Sequence, residues 1–189
     1  MSIEKSKAQD AVTASLLTFP RSGDSASAGG VYTVTCVGPD GVEKWSDTFH
    51  NLVVNQGLQD MNDKYFKASG YTAVWYLGLV TGPGAGNTYA AGNTLASHAG
   101  WTENTAYTGS RKTVTFGTPT TADPSVVSNS ASPSAFSMTG TATIAGAFLA
   151  TTTDNSGVLF SVGNFTGGDK SVASGDTLNV TYQFSLDAA

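Results

Sequence analysis

The order of apolar and polar residues becomes regular at about residue 31. From there VYTVTCV (31–37) alternates apolar and polar side chains, GPDG supplies turn residues, and VEKWSDTF (42–49) resumes the alternation. A period of two places one face of a strand on a core and the other face in water. Pro, Asp and Gly between two such runs favour a tight turn. The pattern therefore predicts a β-hairpin.

The same alternation returns in the second half of the chain. In the closing segment the apolar side chains fall on every second position, which predicts one long strand with a core face and a wet face. Asp and Asn in DNSG (154–157) begin a turn, and the glycine is expected to take a positive φ near its end, so this turn joins two strands as a hairpin. The alternating segments are RKTVTFGT (111–118), SAFSMTGTATIAGAFLATT (134–152), GVLFSVGNF (157–165) and TLNVTYQFSL (177–186).

Two segments between these strands have different patterns. YTAVWYLGLV (71–80) is apolar without alternation, which is typical of a central strand buried on both faces. LVVNQGLQDMNDKYF (52–66) instead has helical spacing, and it predicts an amphipathic helix over about residues 55–67 that packs on a sheet. Asn55 is its expected N-cap. Its predicted apolar face consists of Leu58, Met61, Tyr65 and Phe66.

The first 30 residues and the connection from 81 to 112 are irregular. Residues 1–30 contain a short apolar patch, Leu16, Leu17 and Phe19, between polar and Gly-rich pieces. Two interpretations stay open for this segment: a disordered tail, or an extended arm whose apolar patch docks on a neighbouring subunit. The long connection is expected to pack down through Tyr89, Trp101 and Tyr107, or to present these rings to a partner.

Composition favours the same fold class. The chain has 189 residues, 40% of them hydrophobic and only 12% charged, with 22 Gly. These values suit one turn-rich domain with a surface of Ser, Thr, Asn and Gly. We expect a mainly β protein, an antiparallel β-sandwich or β-roll with one short amphipathic helix packed on it. Residues 1–30 are predicted to form an extended N-terminal arm, and 31–189 a single β-rich domain.

Charge and hydropathy argue against two classes of partner. The net charge is −5, and of nine basic residues only Arg111, Lys112 and Lys170 lie beyond residue 110. Nucleic-acid binding needs a basic surface, so we expect none. The longest apolar run, AVWYLGLV (73–80), is far below the roughly 18 residues of a membrane span. With no apolar export signal near the N-terminus, we expect a soluble protein without membrane partners.

The candidates for binding or catalysis in the sequence are two glycine-rich loops, two histidines and one cysteine. GPGAGN (82–87) has Asn87 where a dinucleotide loop needs its third glycine, and GNFTGGDKS (163–171) places Asp169 where a phosphate would bind. His50 and His98 lack metal-ligand spacing, so His98 is expected to hydrogen-bond loop backbone. Cys36 is predicted to be a buried strand residue. These patterns predict no enzyme, no metal and no cofactor.

One resemblance covers about residues 51 to 186. The order of NLVVNQGLQDMNDKYF, VWYLGLVTGPG, TLASHAGWTENTAYTGSRKTVTFGT, SNSASPSAFSMTGTATIAGAFLAT and SVASGDTLNVTYQFSL resembles short, β-rich structural proteins of tailed bacteriophages. LASHAGWTE, followed by a Tyr and an Arg, is the most specific piece. The resemblance implies a virion component, namely a decoration or cement protein that stabilises the outer capsid surface.

From this resemblance follow the expected location and partners. The protein would be made in the bacterial host cytoplasm and would bind the major capsid protein and copies of itself, as a homotrimer or homodimer. The candidate contact residues are Leu16, Leu17, Phe19, Tyr89 and Trp101. The alternatives are a tail or fibre-associated module that contacts the host surface, with loop aromatics stacked on sugar rings, and a polysaccharide-cleaving enzyme.

Overall fold

The computed structural model describes residues 26–67, 69–71 and 73–188. Within these ranges the chain forms strands, one α-helix and a single 3-10 turn at Gly84–Gly86. The elements are β1 (Ala26–Val37), β2 (Glu43–His50), β3 (Leu52–Val53), α1 (Asn55–Tyr65), β4 (Trp75–Thr81), β5 (Glu103–Asn104), β6 (Lys112–Val114), β7 (Ser125–Ser128), β8 (Ser134–Ser137), β9 (Ala142–Ala150), β10 (Leu159–Asn164), β11 (Lys170–Val172) and β12 (Thr177–Ala188).

The strands form two antiparallel sheets. The first sheet has the order β2-β1-β12, and both β7 and β8 pair with the far side of β12. The second sheet has the order β3-β10-β9-β4, with β5 and β6 on the far side of β4 and β11 beside β9. The prediction of a mainly β, antiparallel sandwich with one short helix is confirmed.

The main core lies between the two sheets. β1 contributes Tyr32 and Val34, β12 contributes Val180, and β4 contributes Leu77 and Leu79, all of them fully buried. In both β1 and β12 the buried side chains fall on every second residue. The alternation in the sequence therefore predicted the inner face of the first sheet, because successive strand side chains point to opposite faces.

A second core lies on the outer face of the second sheet. Val80, Phe148 and Val162 face away from the first sheet and pack against Leu95 and Trp101 of the connection between β4 and β5. The second sheet is thus covered on both faces. This explains why β4 reads as a continuous apolar run, as predicted for a strand buried on both sides.

The first strand includes the last five residues of the segment predicted as an arm. β1 begins at Ala26 rather than at residue 31, and residues 26–30 pair with 184–188 of β12. Small residues fit this position because Tyr182 lies against the backbone of Gly30, leaving no room for a side chain there. The predicted arm of residues 1–30 therefore ends in a stretch, residues 26–30, that belongs to a strand.

The helix follows the predicted position but presents a different face. α1 ends at Tyr65, and its N-cap is Val54, without a side-chain hydrogen bond, so the prediction of an Asn55 cap is wrong. The closest contact with β10 runs through Gly57, where a Cβ would be 2.6 Å from the carbonyl oxygen of Phe160. This approach turns Gly57 and Met61 towards the sandwich. Most of the predicted apolar face is exposed as a result.

The predicted hairpin at DNSG is present between β9 and β10. Asp154 begins it by accepting hydrogen bonds from the backbone N–H of Ser156, at 2.9 Å, and from its hydroxyl, at 2.6 Å. Gly157 does not take the expected positive φ. Glycine is needed there for space, since a Cβ would lie 2.5 Å from Oγ1 of Thr152.

Candidate functional site

The predicted contact residues divide into two groups. Leu16, Leu17 and Phe19 lie outside the described residues, so their role stays a prediction. Tyr89 and Trp101 lie in the connection that covers the second sheet, and Trp101 is only 3% exposed.

Trp101 is enclosed by other rings. Its centroid is 5.2 Å from that of Phe148 and 4.2 Å from the imidazole of His98, which stacks on it. Its indole N–H donates to Oδ1 of Asn93 at 3.3 Å. His98 also has Nδ1 3.0 Å from the carbonyl oxygen of Thr94, the loop-backbone contact that the sequence predicts. Trp101 therefore packs the connection onto the sheet and has no free face for a partner.

Tyr89 anchors the same connection through hydrogen bonds. Its hydroxyl donates to Oδ1 of Asn164 and accepts from Nδ2 of Asn87 at 3.2 Å. Burial raises the pKa of Tyr89 to about 12. The phenol is thus a neutral, partly buried group that ties the connection to β10.

The two glycine-rich loops of the sequence meet in space. The backbone N–H of Gly84, in GPGAGN, donates to Oδ1 of Asp169 at 2.8 Å, and Asn164 donates from Nδ2 to the carbonyl oxygen of Gly84 at 3.2 Å. A carboxylate of the chain itself thus binds the N–H group that a phosphate would need. This contact could not be predicted from the sequence, because no local pattern indicates that loops about 80 residues apart meet.

Arg111 and Glu103 form a largely buried ion-pair cluster. Arg111 donates from Nε and Nη2 to the Glu103 carboxylate, at 3.0 and 2.7 Å, and its guanidinium lies over the ring of Phe148 at 4.9 Å. Arg111 also donates to the carbonyl oxygens of Thr152 and Asp154. The cluster therefore joins the β5–β6 segment to the β9–β10 hairpin.

A polar network crosses the main core. The hydroxyl of Tyr32 lies 2.8 Å from Oγ of Ser161, which donates to the hydroxyl of Tyr182 at 3.4 Å, and Nδ2 of Asn51 donates to the same Tyr182 hydroxyl at 3.0 Å. Burial raises the pKa of Tyr32 and of Tyr182 well above 10. These neutral phenols link the two sheets, and the network has the character of a structural contact.

Apolar side chains are exposed around α1. Leu58 is 43% exposed, Tyr65 83%, Phe66 79% and Tyr71 48%. The rings of Tyr65 and Phe66 pack edge to face at 4.9 Å, and Nζ of Lys64 lies 5.7 Å from the centroid of the Tyr71 ring. We call these four exposed residues the helix patch. Helical spacing predicted that Leu58, Tyr65 and Phe66 face the sheet. The buried Gly57 is the residue that would have indicated the true inward face of the helix.

An apolar cleft opens beside the helix patch, between the two sheets. It has a volume of about 250 Å³. Trp75 and Phe160 contribute one wall, with their rings 5.2 Å apart, and Phe184 faces Phe160 at 5.3 Å from the first sheet. The residues that line the cleft are Met61, Trp75, Phe116, Val127, Leu149, Phe160, Tyr182 and Phe184.

Metal-binding clusters and membrane-spanning helices are two further features that would affect the interpretation of the site. Over residues 26–67, 69–71 and 73–188, no three His, Cys, Asp or Glu side chains are grouped closely enough to hold a metal ion. In the same part of the chain, no helix combines the length and apolar character that crossing a membrane requires.

Comparison with known proteins gives no relative. No protein-family model, curated protein or solved structure matches the chain.

Proposed function

We propose that this protein is a structural component of a tailed-phage virion, a capsid decoration or cement protein that binds the outer shell through the helix patch. The observation that carries the proposal is the exposure of Tyr65 and Phe66 on the outside of an otherwise well-packed sandwich. Large exposed apolar groups concentrated in one place are typical of protein–protein contact sites. The partners proposed are the major capsid protein and further copies of this chain.

The helix patch has the chemistry of a protein-binding surface. Tyr is enriched among the residues that dominate interface energies, and burying one aromatic side chain contributes about 1.5–3 kcal/mol. Such a gain suits a modest contact that is repeated at symmetric positions of a shell. The net charge of −5 also discourages contact with packaged nucleic acid.

The tail or fibre alternative has less support. It relied on rings of the β4–β5 connection and its continuation stacking on sugars, but Trp101 and Tyr107 are 3% and 5% exposed. Their faces are occupied by other side chains of the same chain. Of the three rings, only Tyr89 is partly exposed, and its hydroxyl is already hydrogen-bonded to Asn87 and Asn164.

Particle composition tests the proposed role. Quantitative mass spectrometry of purified virions should find the chain in a fixed ratio to the major capsid protein, because a decoration protein follows the symmetry of the shell. A few copies per particle would instead indicate a tail part. Absence of the chain from virions would reject the proposal.

A paired variant tests the surface. Tyr65→Ser with Phe66→Ser should reduce binding to undecorated capsids by about a hundredfold, since two anchors of about 1.5 kcal/mol each are lost. Val42→Ser is the matched control, because Val42 is also exposed, at 60%, but lies on the β1–β2 turn. Equal binding of the paired variant and the control would contradict the role of the helix patch.

A further inference from the structure

The end of the first sheet near Ala26 has an open side. β2 pairs with β1 only from Val31 onwards, where Val31 lies opposite His50. Residues 26–30 pair with β12 on one side, and among the described residues their other side has a single backbone contact, in which Asn51 donates to the carbonyl oxygen of Gly30. Within the described part of the chain, no strand therefore pairs with this side of residues 26–30.

The apolar cleft lies at the same end of the molecule. Phe184, which lines the cleft, is directly opposite Gly30, and Val127 of β7 is opposite Phe184 on its other side. Leu186 is on the same face of β12 as Phe184, two residues further, and is 39% exposed. An apolar surface thus extends from the cleft towards Ala26.

The sequence upstream of Ala26 contains a segment with matching chemistry. Leu16, Leu17 and Phe19 are followed by PRSGDS (20–25), in which Pro, Gly, Asp and Ser are residues that favour a reversal of the chain. Seven residues from Phe19 to Ala26 span up to about 23 Å, and the four residues from Ala26 to Gly30 cover about 13 Å. A turn within residues 20–25 therefore leaves enough chain to bring Phe19 back to Phe184.

We propose that the apolar patch of residues 16–19 docks on the apolar cleft of its own subunit, with Leu17 and Phe19 inside the cleft. In an extended segment Leu17 and Phe19 point to the same side, so both can enter a cleft walled by Trp75, Phe160 and Phe184. Insertion removes apolar surface from water on both partners. Docking in the same subunit is favoured over exchange with a second copy, because a short connection raises the effective concentration to about the millimolar range.

Disulfide trapping on the isolated full-length chain tests this contact. Phe19→Cys with Val127→Cys should form an intramolecular disulfide under mild oxidation, because a bridge requires Cβ atoms about 4 Å apart. The native Cys36 is fully buried and should not compete. Peptide mass mapping identifies the bridge, and mixing isotopically light and heavy protein shows whether it joins one chain or two.

Two matched controls make the trapping specific. Ser6→Cys with Val127→Cys tests a polar part of the segment that also has the length to reach, and Phe19→Cys with Thr139→Cys tests an exposed site near the opposite end of β12. Both should cross-link at least about tenfold more slowly than the Phe19–Val127 pair. Equal rates for all three pairs, or Phe19–Val127 bridges between light and heavy chains, would overturn the proposal.

A second measurement does not depend on introduced cysteines. Removing residues 1–25, or changing Leu16, Leu17 and Phe19 together to Ser, should expose the cleft and raise the fluorescence of an added hydrophobic dye such as ANS severalfold. Val12→Ser is the control in the same segment and should leave the fluorescence unchanged. Unchanged fluorescence in both altered chains would overturn the proposal. Both experiments use the isolated protein without capsids. Their outcome is therefore independent of whether the protein binds capsids.

Discussion

At the residue scale, Arg111 shows how one side chain holds two distant loops. Its side chain is 2% exposed and that of Glu103 is 21% exposed, with 2.7 Å between Nη2 and Oε2. The planar guanidinium provides five N–H donors, which here are shared between a carboxylate and backbone carbonyl groups. Lysine has one ammonium group and cannot satisfy these acceptors in the same geometry.

Replacing Arg111 should destabilise the fold strongly. We expect Arg111→Lys to lower the free energy of unfolding by about 3 kcal/mol, because breaking a buried ion pair leaves unpaired polar groups inside the protein. Urea unfolding of both proteins measures the difference. Lys67→Gln is the control, since the Lys67–Asp63 pair is surface-exposed and its loss should change stability by less than about 0.5 kcal/mol. A loss below about 1 kcal/mol for Arg111→Lys would contradict the structural role of the cluster.

Asp176 gives the protein a predictable response to acid. A hydrogen bond from Lys44, with 2.6 Å between Nζ and Oδ1, and another from the backbone N–H of Ala173 hold the pKa of Asp176 below its ordinary value of 3.8. A carboxylate with a lowered pKa in the folded state stabilises the fold above its unfolded pKa. This contribution is lost as the pH falls through the folded value.

We therefore expect the free energy of unfolding to decrease below about pH 4, and to decrease less steeply in Asp176→Asn. Denaturant unfolding at a series of pH values from 7 to 2 measures both slopes. At pH 7 the variant should be less stable than the wild type, because Lys44 loses its charged partner. Identical slopes below pH 4 would show that Asp176 does not contribute to acid sensitivity.

At the element scale, α1 depends on a glycine where helices normally avoid one. Gly57 is buried against β10, and this close contact decides which face of the helix points inward. Helical periodicity identifies an apolar stripe from the hydrophobicity of the side chains, so it favoured Leu58 and Tyr65 over a glycine. The actual contact uses the residue without a side chain.

Gly57→Ala should separate packing from helix propensity. Alanine favours a helix by about 1 kcal/mol over glycine, but its Cβ would lie 2.6 Å from a backbone oxygen of Phe160. We expect a net loss of about 1–3 kcal/mol in the free energy of unfolding, because backbone must move to relieve the clash. Thermal or urea unfolding measures it. Gln59→Ala, on an exposed position of the same helix, should be neutral within about 0.5 kcal/mol, and a stabilising Gly57→Ala would refute this account.

At the scale of the whole molecule, the first and last strands are partners. β1 and β12 pair over all twelve positions of β1, from Ala26 opposite Ala188 to Val37 opposite Thr177. The sandwich is therefore closed by a contact between residues about 150 positions apart in sequence. Residues 26–30 take part in this contact, because they pair with residues 184–188.

Two truncations should measure the contribution of residues 26–30. Deleting residues 1–25 should leave a cooperatively folding protein, whereas deleting residues 1–30 should lower the free energy of unfolding by more than about 1 kcal/mol relative to the shorter deletion. The reason is that residues 26–30 pair with β12, and each backbone hydrogen bond contributes about 1 kcal/mol. Circular dichroism during urea unfolding compares the two, and equal stability would show that the pairing of residues 26–30 does not contribute to the fold.

Features that depend on neighbouring residues were predictable from the amino-acid pattern. The alternation of β1 and β12, the turn at GPDG, the position of α1 and the burial of Cys36, which is fully buried, all follow from local periodicity and turn chemistry. The tertiary structure alone decided the features that depend on distant segments: the order of the strands, the inward face of α1, the contact between Gly84 and Asp169, and the apolar cleft. These arise where backbone segments far apart in sequence pack closely, and the geometry of such packing has no periodic signal in the chain.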